Sequence, residues 1–351
     1  MRSKRAHTLR DVAERVGVGP ATVSVVINGS RSGTKVSERT REAILQAARE
    51  LNYRPNALAR SLRTSRTGIV GYFSGYSFID PRNPYIAEVM AGLQSACAER
   101  GLDLLLYTPH AGHTAEEIAA NLANGRLDGL ILSAREDHPI VPLLVDSHLP
   151  VVAISDALAG VPSVVPDSAE GGRLQARHLH ALGHRDVLYL PADNDFPSVR
   201  EREMALRDEA TALGIRVRTG EAIPGFRLPG EALPPIPAVD LAHLDASCTV
   251  VVVWDDGPAY RYLDMLAAAG RSDVSVIGYN GCQPTVAPRW DLTTVRAHWP
   301  TAAARAIAVL DDLIAGHDVA PLTILPIDLI SGATATSPRS PISKQSPHDT
   351  H

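Results

Sequence analysis

The region after Gly68 alternates short runs of β-branched residues with longer stretches of helical periodicity. This alternation is typical of parallel β-sheets covered by helices, and the four valines at 250–253 suit a strand buried on both faces. The predicted strands are Ile69–Phe73, Leu102–Tyr107, Gly129–Leu132, Val151–Ile154, Val187–Leu190, Thr249–Val253 and Val274–Gly278. The predicted helices are Tyr85–Arg100, Ala115–Asn124, Ala169–Leu182, Val199–Leu213 and Ala302–Ala315. The region is long enough for two α/β lobes and a cleft, where ligands bind at the carboxyl ends of strands.

Charge divides the chain into a basic head and an acidic body. Residues 1–66 contain 14 Lys and Arg against 5 Asp and Glu, a net charge of +9. Because the whole chain carries -5, the remainder carries -14. This division indicates that only the head meets a polyanion, although a solvated charged face would have the same composition.

Cysteine content and hydropathy argue against a disulfide-rich, zinc-binding or membrane-spanning protein. Cys97, Cys248 and Cys282 are scattered and form no CxxC pair, which argues against a disulfide framework or a zinc site. No stretch approaches the apolar length of a membrane span, and the N-terminus does not resemble an export signal. We therefore expect a cytoplasmic protein without a membrane partner, and we expect no cofactor.

The first 54 residues contain signals for three short helices. Thr8 can cap the first helix, with Asp11 in the capping-box position, and Gly17 permits the turn that ends it. Pro20 suits the first turn of a second helix, and a third helix starts at Ser37. Two short helices across a tight turn, braced by a third, form a helix-turn-helix, whose second helix fits the major groove of DNA.

Several motifs of the head occur together in one register. They are Leu9–Val18 (LRDVAERVGV), Ala21–Ser24 (ATVS), Asn28-Gly29 and Leu51–Asn56 (LNYRPN). In this combination the head resembles that of the lac repressor (LacI/GalR) family of bacterial transcription regulators. A weaker resemblance continues to about residue 336, with its clearest pieces at Asn83–Tyr85, Leu127–Leu132, His178–His184, Val276–Tyr279 and Leu292–Val295.

The resemblance implies a domain organisation: an all-α helix-turn-helix head, a hinge helix and an effector module similar to periplasmic binding proteins, built from two doubly wound parallel-sheet lobes. The implied bounds are 1–54 for the head, 55–66 for the hinge, 67–337 for the effector module and 338–351 for a disordered tail. Within the module, the N-lobe would hold about 67–165 plus 297–322, and the C-lobe about 166–296 plus 323–337. The tail lacks a leucine heptad repeat, which favours a dimer over a tetramer.

Carried over by position, the resemblance implies which residues contact DNA. The positions nearest base edges are Gly19, Pro20, Ala21 and Val25. Pro, Ala and Val side chains cannot form bidentate hydrogen bonds but can pack on thymine methyls, and the alternative for them is packing inside the head. Thr22, Ser24 and Asn28 would contact or support phosphates; Arg31 and Lys35 would contact phosphates or remain as solvated loop charges. The remaining DNA-binding positions are Thr8, Tyr53, Asn56, Ala59 and Leu62.

Leu62 occupies the position of the family's leucine wedge, which opens a central base step in the minor groove and kinks the duplex. The alternative is that Leu58 and Leu62, spaced i and i+4, pack one face of a helix. Because the second helix is poor in hydrogen-bonding side chains, we hypothesise that readout of DNA deformability through this kink carries part of the specificity.

For the cleft, the resemblance implies a clamping arginine at Arg202, whose planar guanidinium suits paired hydroxyls, carboxylates or phosphates. Asn280 stands where relatives usually present an aspartate to sugar hydroxyls, and Asp255 where many have asparagine. The other candidates are Ser155, Trp299, Tyr76 and Phe78. The alternatives are surface ion pairs for Arg202 and Asp255, and core packing for Trp299.

These features predict a transcription regulator, expected to be a repressor, that binds a pseudo-palindromic double-stranded operator as a homodimer. A small molecule between the lobes, a sugar or sugar derivative, would control its operator affinity. The alternatives are a nucleoside- or other metabolite-responsive regulator and a ligand-independent DNA-binding protein. A secreted sugar-binding protein would not explain the basic head. An enzyme is not expected, since the chain lacks GxGxxG after a strand, a Walker loop and GxSxG, and the spacing of His178, His180 and His184 does not suit a metal.

The wedge hypothesis predicts that Leu62→Ala weakens binding to the operator more than binding to random DNA, because only the operator is selected for the kink. Equilibrium affinities for both duplexes at one fixed salt concentration measure the difference. Equal losses on the two duplexes would contradict the hypothesis.

Overall fold

The computed structural model describes residues 7–28, 36–55, 61, 64–76, 79, 83–193, 195–223, 244, 248–282 and 289–338. The chain divides into two compact units, Met1–Gly68 and Ile69–His351. In the described residues, no helix is both long enough and apolar enough to cross a membrane.

In the first unit, the described residues 7–28 and 36–55 form three helices around a small core. They are α1 (Leu9–Val16), α2 (Pro20–Asn28) and α3 (Glu38–Glu50). The Thr8 backbone N–H donates to Asp11 Oδ2 at 2.6 Å, and the Asp11 N–H donates to Thr8 Oγ1 at 3.4 Å, which confirms the capping box. Gly17 has a φ of 71°, as the predicted turn requires. The buried core residues are Val12, Ala13, Val23, Val26, Ile44 and Ala47.

The second unit begins with a lobe whose six-stranded sheet is entirely parallel, in the order β11-β5-β4-β3-β1-β2. The strands are β1 (Ile69–Ser74), β2 (Asp103–Leu106), β3 (Gly129–Ser133), β4 (Val151–Ile154), β5 (Ser163–Pro166) and β11 (Leu322–Leu325). Its helices are α4 (Pro84–Arg100), α5 (Ala115–Leu122), α6 (Ile140–Val145) and α10 (Trp299–Ile314). We call this lobe the N-lobe.

The other lobe, the C-lobe, has the strand order β12-β10-β9-β8-β6-β7, and only its edge strand β12 is antiparallel. The strands are β6 (Asp186–Leu190), β7 (Arg216–Thr219), β8 (Val250–Val253), β9 (Ser275–Asn280), β10 (Thr293–Arg296) and β12 (Asp328–Ile330). The helices are α7 (Ser168–Leu182), α8 (Pro197–Ala212) and α9 (Asp256–Ala268). As far as the structure describes the chain, it passes between the lobes three times: after β5, after β10 and after β11.

All seven predicted strands and all five predicted helices of the body are present, with ends within three residues of those predicted. The parallel-sheet prediction is confirmed, and the four valines of β8 are completely buried. Cys97, Cys248 and Cys282 are buried, and none of them forms a disulfide with another described residue. The pattern did not predict the helices α6 and α9. It also did not predict five short strands: β5, β7, β10, β11 and β12.

His184 joins three parts of the C-lobe. Its side chain is fully buried, with Nδ1 2.7 Å from Thr249 Oγ1 before β8 and Nε2 2.9 Å from the carbonyl oxygen of Thr336 near the C-terminus. Burial lowers the pKa of this imidazole and favours its neutral form. His184 is therefore a structural residue with both ring nitrogens satisfied.

We predict that His184→Ala lowers the free energy of unfolding by about 1–3 kcal/mol, because it removes a fully buried side chain together with its hydrogen bonds to Thr249 and Thr336. The pKa is lower in the folded than in the unfolded state, so the unfolded chain binds more protons in acid. The contribution of His184 is thus present above pH about 6.5 and is lost as the pH falls below it. Calorimetric unfolding at pH 7.5 and 5.5 measures this.

The matched control is His317→Ala, which removes an exposed imidazole 3.2 Å from Asp312. A variant at His184 that is as stable and as pH-sensitive as this control would contradict the structural assignment.

Candidate functional site

A cavity of about 60 Å³ lies between the two lobes, where the carboxyl ends of their central strands face each other. We call it the interlobe cavity. It lies where ligands bind in open α/β sheets. Its lining residues come from both lobes: Tyr76, Tyr85, Ser155, Asp156, Pro166, Ser168, Phe196, Ser198, Val199, Arg202, Trp254, Tyr279, Asn280 and Trp299.

Two lining residues have backbone conformations that side-chain-bearing residues rarely adopt. Ser155 follows β4 with a φ of 84°, and Asn280 ends β9 with a φ of 105°. His298, next to Trp299 at the second lobe crossing, has a φ of 47°. Such conformations are of order 1–3 kcal/mol unfavourable and persist only where the surroundings determine them. The sharp turns aim the side chains that follow the strands into the cleft.

Arg202 supplies the cationic group of the interlobe cavity. It lies on α8 and is only 5% exposed. One terminal nitrogen donates to the carbonyl oxygen of Trp254 at 2.5 Å, and the guanidinium lies 3.8 Å from the centre of the Tyr279 ring. Its Nε has no hydrogen-bond partner among the described residues. A buried guanidinium with spare donors is suited to a ligand that presents oxygen acceptors.

The close packing of α7 on α8 fixes the position of Arg202. A Cβ atom at Gly172 would lie 2.0 Å from the carbonyl oxygen of Arg202, so any larger residue there would push the two helices apart. Glycine at this position therefore lets the backbone of α8 approach α7.

Asn280 lines the cavity, and its side-chain amide is hydrogen-bonded to Asp255, which lies outside the cavity lining. Its Nδ2 donates to Asp255 Oδ2 at 2.5 Å, and Asp255 also caps α9 by accepting from the Gly257 N–H at 2.9 Å. Burial raises the pKa of Asp255. Because the amide nitrogen is engaged by Asp255, the oxygen of Asn280 is the atom left to accept a ligand hydroxyl.

A second carboxyl group, Asp256, lies deeper and serves the structure. It accepts from Thr294 Oγ1 at 2.6 Å and from the Cys282 N–H at 2.9 Å. Burial, reinforced by the nearby Asp255, raises its pKa well above the ordinary value.

Asp156 connects the two lobes. This N-lobe carboxylate accepts from the backbone N–H of Ser198, in the first turn of α8, at 2.8 Å. Its other oxygen accepts from the hydroxyl of Tyr76, which is also 3.1 Å from the carbonyl oxygen of Ala134. Burial, and then the charge of Asp156, raise the pKa of Tyr76, which keeps this hydroxyl protonated as a donor. Asp156 thus caps a helix of the opposite lobe.

Aromatic side chains form the walls of the interlobe cavity. Tyr85 meets Trp299 edge to face with ring centres 4.7 Å apart, and its hydroxyl hydrogen-bonds to Ser155. Burial raises the pKa of Tyr85 to about 12. Tyr76 of the N-lobe meets Phe196 of the C-lobe at 5.3 Å. An apolar wall with few polar groups is the usual composition of a small-molecule site.

The structure brings together five of the seven predicted ligand-binding residues: Tyr76, Ser155, Arg202, Asn280 and Trp299. Asp255 lies behind Asn280 and does not line the cavity, and Phe78 falls outside the described residues. Sequence reasoning did not select the lining residues Tyr85, Asp156, Pro166, Ser168, Phe196, Ser198, Val199, Trp254 and Tyr279 as candidates. Trp254 directly follows β8 and Tyr279 lies at the end of β9, so their positions at strand ends were a usable signal.

In the head, α2 turns one face to the core and another to solvent. Val23 and Val26 are buried, whereas Pro20 and Ala21 are exposed and Val25 is partly exposed and outside the core. Ser24 and Asn28 are joined by a hydrogen bond of 3.2 Å. The exposed face contains the positions predicted to read bases.

The other predicted DNA-binding positions have mixed placements. Gly19 is exposed, Thr22 is partly buried, and Thr8 caps α1. Tyr53 packs against the head core, and burial raises its pKa. The remaining positions fall outside the described residues: Arg31, Lys35, Asn56, Ala59 and Leu62.

Comparison with known proteins agrees with this geometry. Residues 8–56 match the model of the bacterial regulatory proteins of the lacI family. Residues 77–220 match the periplasmic binding proteins and sugar-binding domain of the LacI family, and residues 176–335 match a periplasmic binding protein-like domain. The HTH-type transcriptional regulator CelR of Thermobifida fusca is 32% identical over 347 residues, which cover 93% of this chain and 97% of CelR.

The chain belongs to the lacI family of bacterial regulatory proteins. This confirms the resemblance read from the head, and with it a DNA-binding transcription regulator controlled by a small molecule. The relatives are transcription regulators rather than enzymes.

Other relatives and solved structures agree on the family and the fold. The HTH-type transcriptional repressor PurR of Proteus mirabilis is 35% identical over 190 residues, 52% of this chain and 54% of PurR. A complex of the transcriptional regulator CelR with cellobiose matches with a TM-score of 0.65 at 27% identity, covering 94% of this chain and all of that one. The lac repressor dimer bound to operator and the anti-inducer ONPF matches with a TM-score of 0.77 at 23% identity, covering 95% of this chain and all of that one. These matches confirm the head and the two-lobed α/β module.

We predict that Asp156→Ala loosens the contact between the lobes, because it removes the acceptor for both the Ser198 N–H and the Tyr76 hydroxyl. Loss of a helix cap lowers the free energy of unfolding by about 0.5–2 kcal/mol. Small-angle scattering should give a larger radius of gyration, and thermal melting a lower midpoint. The matched control is Asp146→Ala, an exposed carboxylate of the same lobe. Scattering and melting curves identical to those of the control would refute the bridging role of Asp156.

Proposed function

We propose that this regulator is a repressor whose operator affinity is set by a neutral sugar bound between the lobes. The observation that carries the proposal is Arg202, a buried guanidinium with an unpaired Nε in an aromatic-walled cavity. Asn280 adds a neutral acceptor beside it. A hydroxyl-rich ring suits this combination, because its oxygens can accept from the guanidinium while its apolar face packs on rings.

The comparisons support a sugar over other effectors. The CelR of Thermobifida fusca is similar to this chain along nearly its whole length. A solved structure that matches 94% of this chain is a complex of a regulator named CelR with cellobiose. A nucleobase or nucleoside is the second candidate, since Tyr76 and Phe196 could stack on a flat ring. A panel of sugars and nucleosides in a thermal-shift assay separates the two, because only the correct class raises the melting temperature.

On DNA, the protein acts as a homodimer, and α2 of each head enters the major groove of one operator half-site. The exposed face of α2 offers Pro20, Ala21 and Val25, so contacts with thymine methyls take the place of bidentate hydrogen bonds. The proposed domains are the head at 1–54, the hinge at 55–66, the effector module at 67–337 and a tail at 338–351. The hinge places Leu62 in the minor groove. The dimer structure of the lac repressor supports this assembly.

Coupling between the sites requires the ligand to prefer one arrangement of the lobes. A sugar that contacts Arg202 and Asn280 in the C-lobe and Ser155 in the N-lobe stabilises one lobe arrangement, because it touches both halves. That preference is passed to the two hinges and changes their spacing. Coupling energies of this kind are about 1–3 kcal/mol, which is a factor of roughly 5–150 in operator affinity.

Arg202→Ala should abolish the response of operator binding to the sugar, because the guanidinium contacts the ligand. The variant should still bind the operator without sugar, because the guanidinium does not contact the DNA. Fluorescence anisotropy of a labelled operator, with and without sugar, measures both quantities. The control is Arg200→Ala, two residues earlier on α8, where the side chain is exposed and pairs with Asp195 at 2.7 Å. A variant at Arg202 that still responds to the same sugar with wild-type sensitivity would rule out this role.

A further inference from the structure

A second cavity, of about 220 Å³, lies in the N-lobe beside the carboxyl ends of β1 and β2. We call it the side cavity. Its walls include Phe73 and Ser74 of β1, Tyr107 and Thr108 after β2, and His138 after β3. The function proposed above makes no use of it.

Aromatic rings make up much of its wall. Phe73 meets Tyr107 with ring centres 5.9 Å apart and His138 at 6.3 Å, both edge to face. None of its described lining residues is Lys, Arg, Asp or Glu. The cavity is therefore suited to an uncharged occupant with an apolar face.

His138 gives this cavity a hydrogen-bond donor. The backbone N–H of Ile140 donates to its Nδ1 at 3.2 Å, so in the neutral ring the proton is on Nε2. Nε2 lies on the cavity side, since a Cβ atom at Gly75, another lining residue, would be only 3.2 Å from it. Burial lowers the pKa of His138, partly offset by the neighbouring Asp137, which favours the neutral form.

Tyr76 lines both the interlobe cavity and the side cavity. The interlobe cavity alone is small against the roughly 300–1,000 Å³ of most small-molecule sites, and only the two cavities together approach the lower end of that range. A ligand with two rings could occupy both cavities by passing the Tyr76 side chain.

We propose that the side cavity is a second sugar subsite, so that the effector is a neutral disaccharide. One ring contacts Arg202 in the interlobe cavity, and the other contacts Phe73 and Tyr107 and accepts a hydrogen bond from His138 Nε2. This inference rests on the proposed sugar effector and specifies its size.

The test is isothermal titration calorimetry of the full chain with glucose, cellobiose, maltose and lactose. At least one disaccharide should bind tenfold or more tightly than glucose. His138→Phe keeps a ring but removes the donor, so it should weaken that disaccharide about threefold to tenfold. Glucose affinity should not change, and His138→Gln, which retains a donor, should recover part of the loss.

A second variant tests the space itself. Thr108 is exposed at the cavity wall, so Thr108→Trp should fill the side cavity and remove the advantage of the disaccharide over glucose, whereas Thr108→Ser should preserve it. Melting curves verify that each variant is folded.

The outcomes separate the two proposals. If glucose binds as tightly as every disaccharide, or if the variants weaken glucose and disaccharide equally, the second subsite is wrong and the sugar effector stands. If none of the four sugars binds, both proposals fail.

Discussion

The organisation of the cleft depends on one buried charge, the guanidinium of Arg202. A cation removed from water is strongly unfavourable unless oxygens or rings compensate it. Here the carbonyl oxygen of Trp254, directly after β8, and the ring of Tyr279 in β9 do so. The same helix, α8, is capped at its N-terminus by Asp156 of the other lobe, which accepts a hydrogen bond from the Ser198 N–H. Helix α8 therefore carries the buried charge and also forms part of the contact between the lobes.

This linkage explains how a small ligand could act at a distance. The three passages between the lobes leave the backbone continuous but allow the lobes to change their angle. The contacts that hold the present angle include the Asp156 hydrogen bonds and the meeting of Tyr76 with Phe196. A ligand that inserts beside Arg202 competes with or strengthens these contacts, and only that difference can shift the equilibrium.

Much of the fold could be predicted from the sequence, because its strands are short apolar runs and its helices carry standard caps. Thr8 with Asp11 and the valines of β8 are examples where local signals and structure agree. The strands β7 and β11 lie at sheet edges and contain exposed residues, so their patterns lack a continuous apolar run. Helix α9 was missed although Asp255 caps it and Pro258 lies in its first turn, signals that were available.

The candidate site was less predictable than the fold. Arg202 and Asn280 were found because the family register assigns them, and their contacts could not be read from the register alone. Asp156 and Ser198 are 42 positions apart and belong to different lobes, so their hydrogen bond depends on the tertiary fold. The exchange of carboxylate and amide between Asp255 and Asn280 was visible in the sequence, but its consequence, an engaged Nδ2 and an available oxygen, required the structure.

The central claim is that a sugar in the cleft and the operator at the heads are thermodynamically coupled, and reciprocity tests it most directly. The sugar's dissociation constant is measured by calorimetry on free and on operator-saturated protein, and the operator's constant with and without saturating sugar. The account predicts that the two ratios are equal and differ from one by a factor of roughly 5–150. A sugar that binds the free and the operator-bound protein with the same affinity would contradict the account.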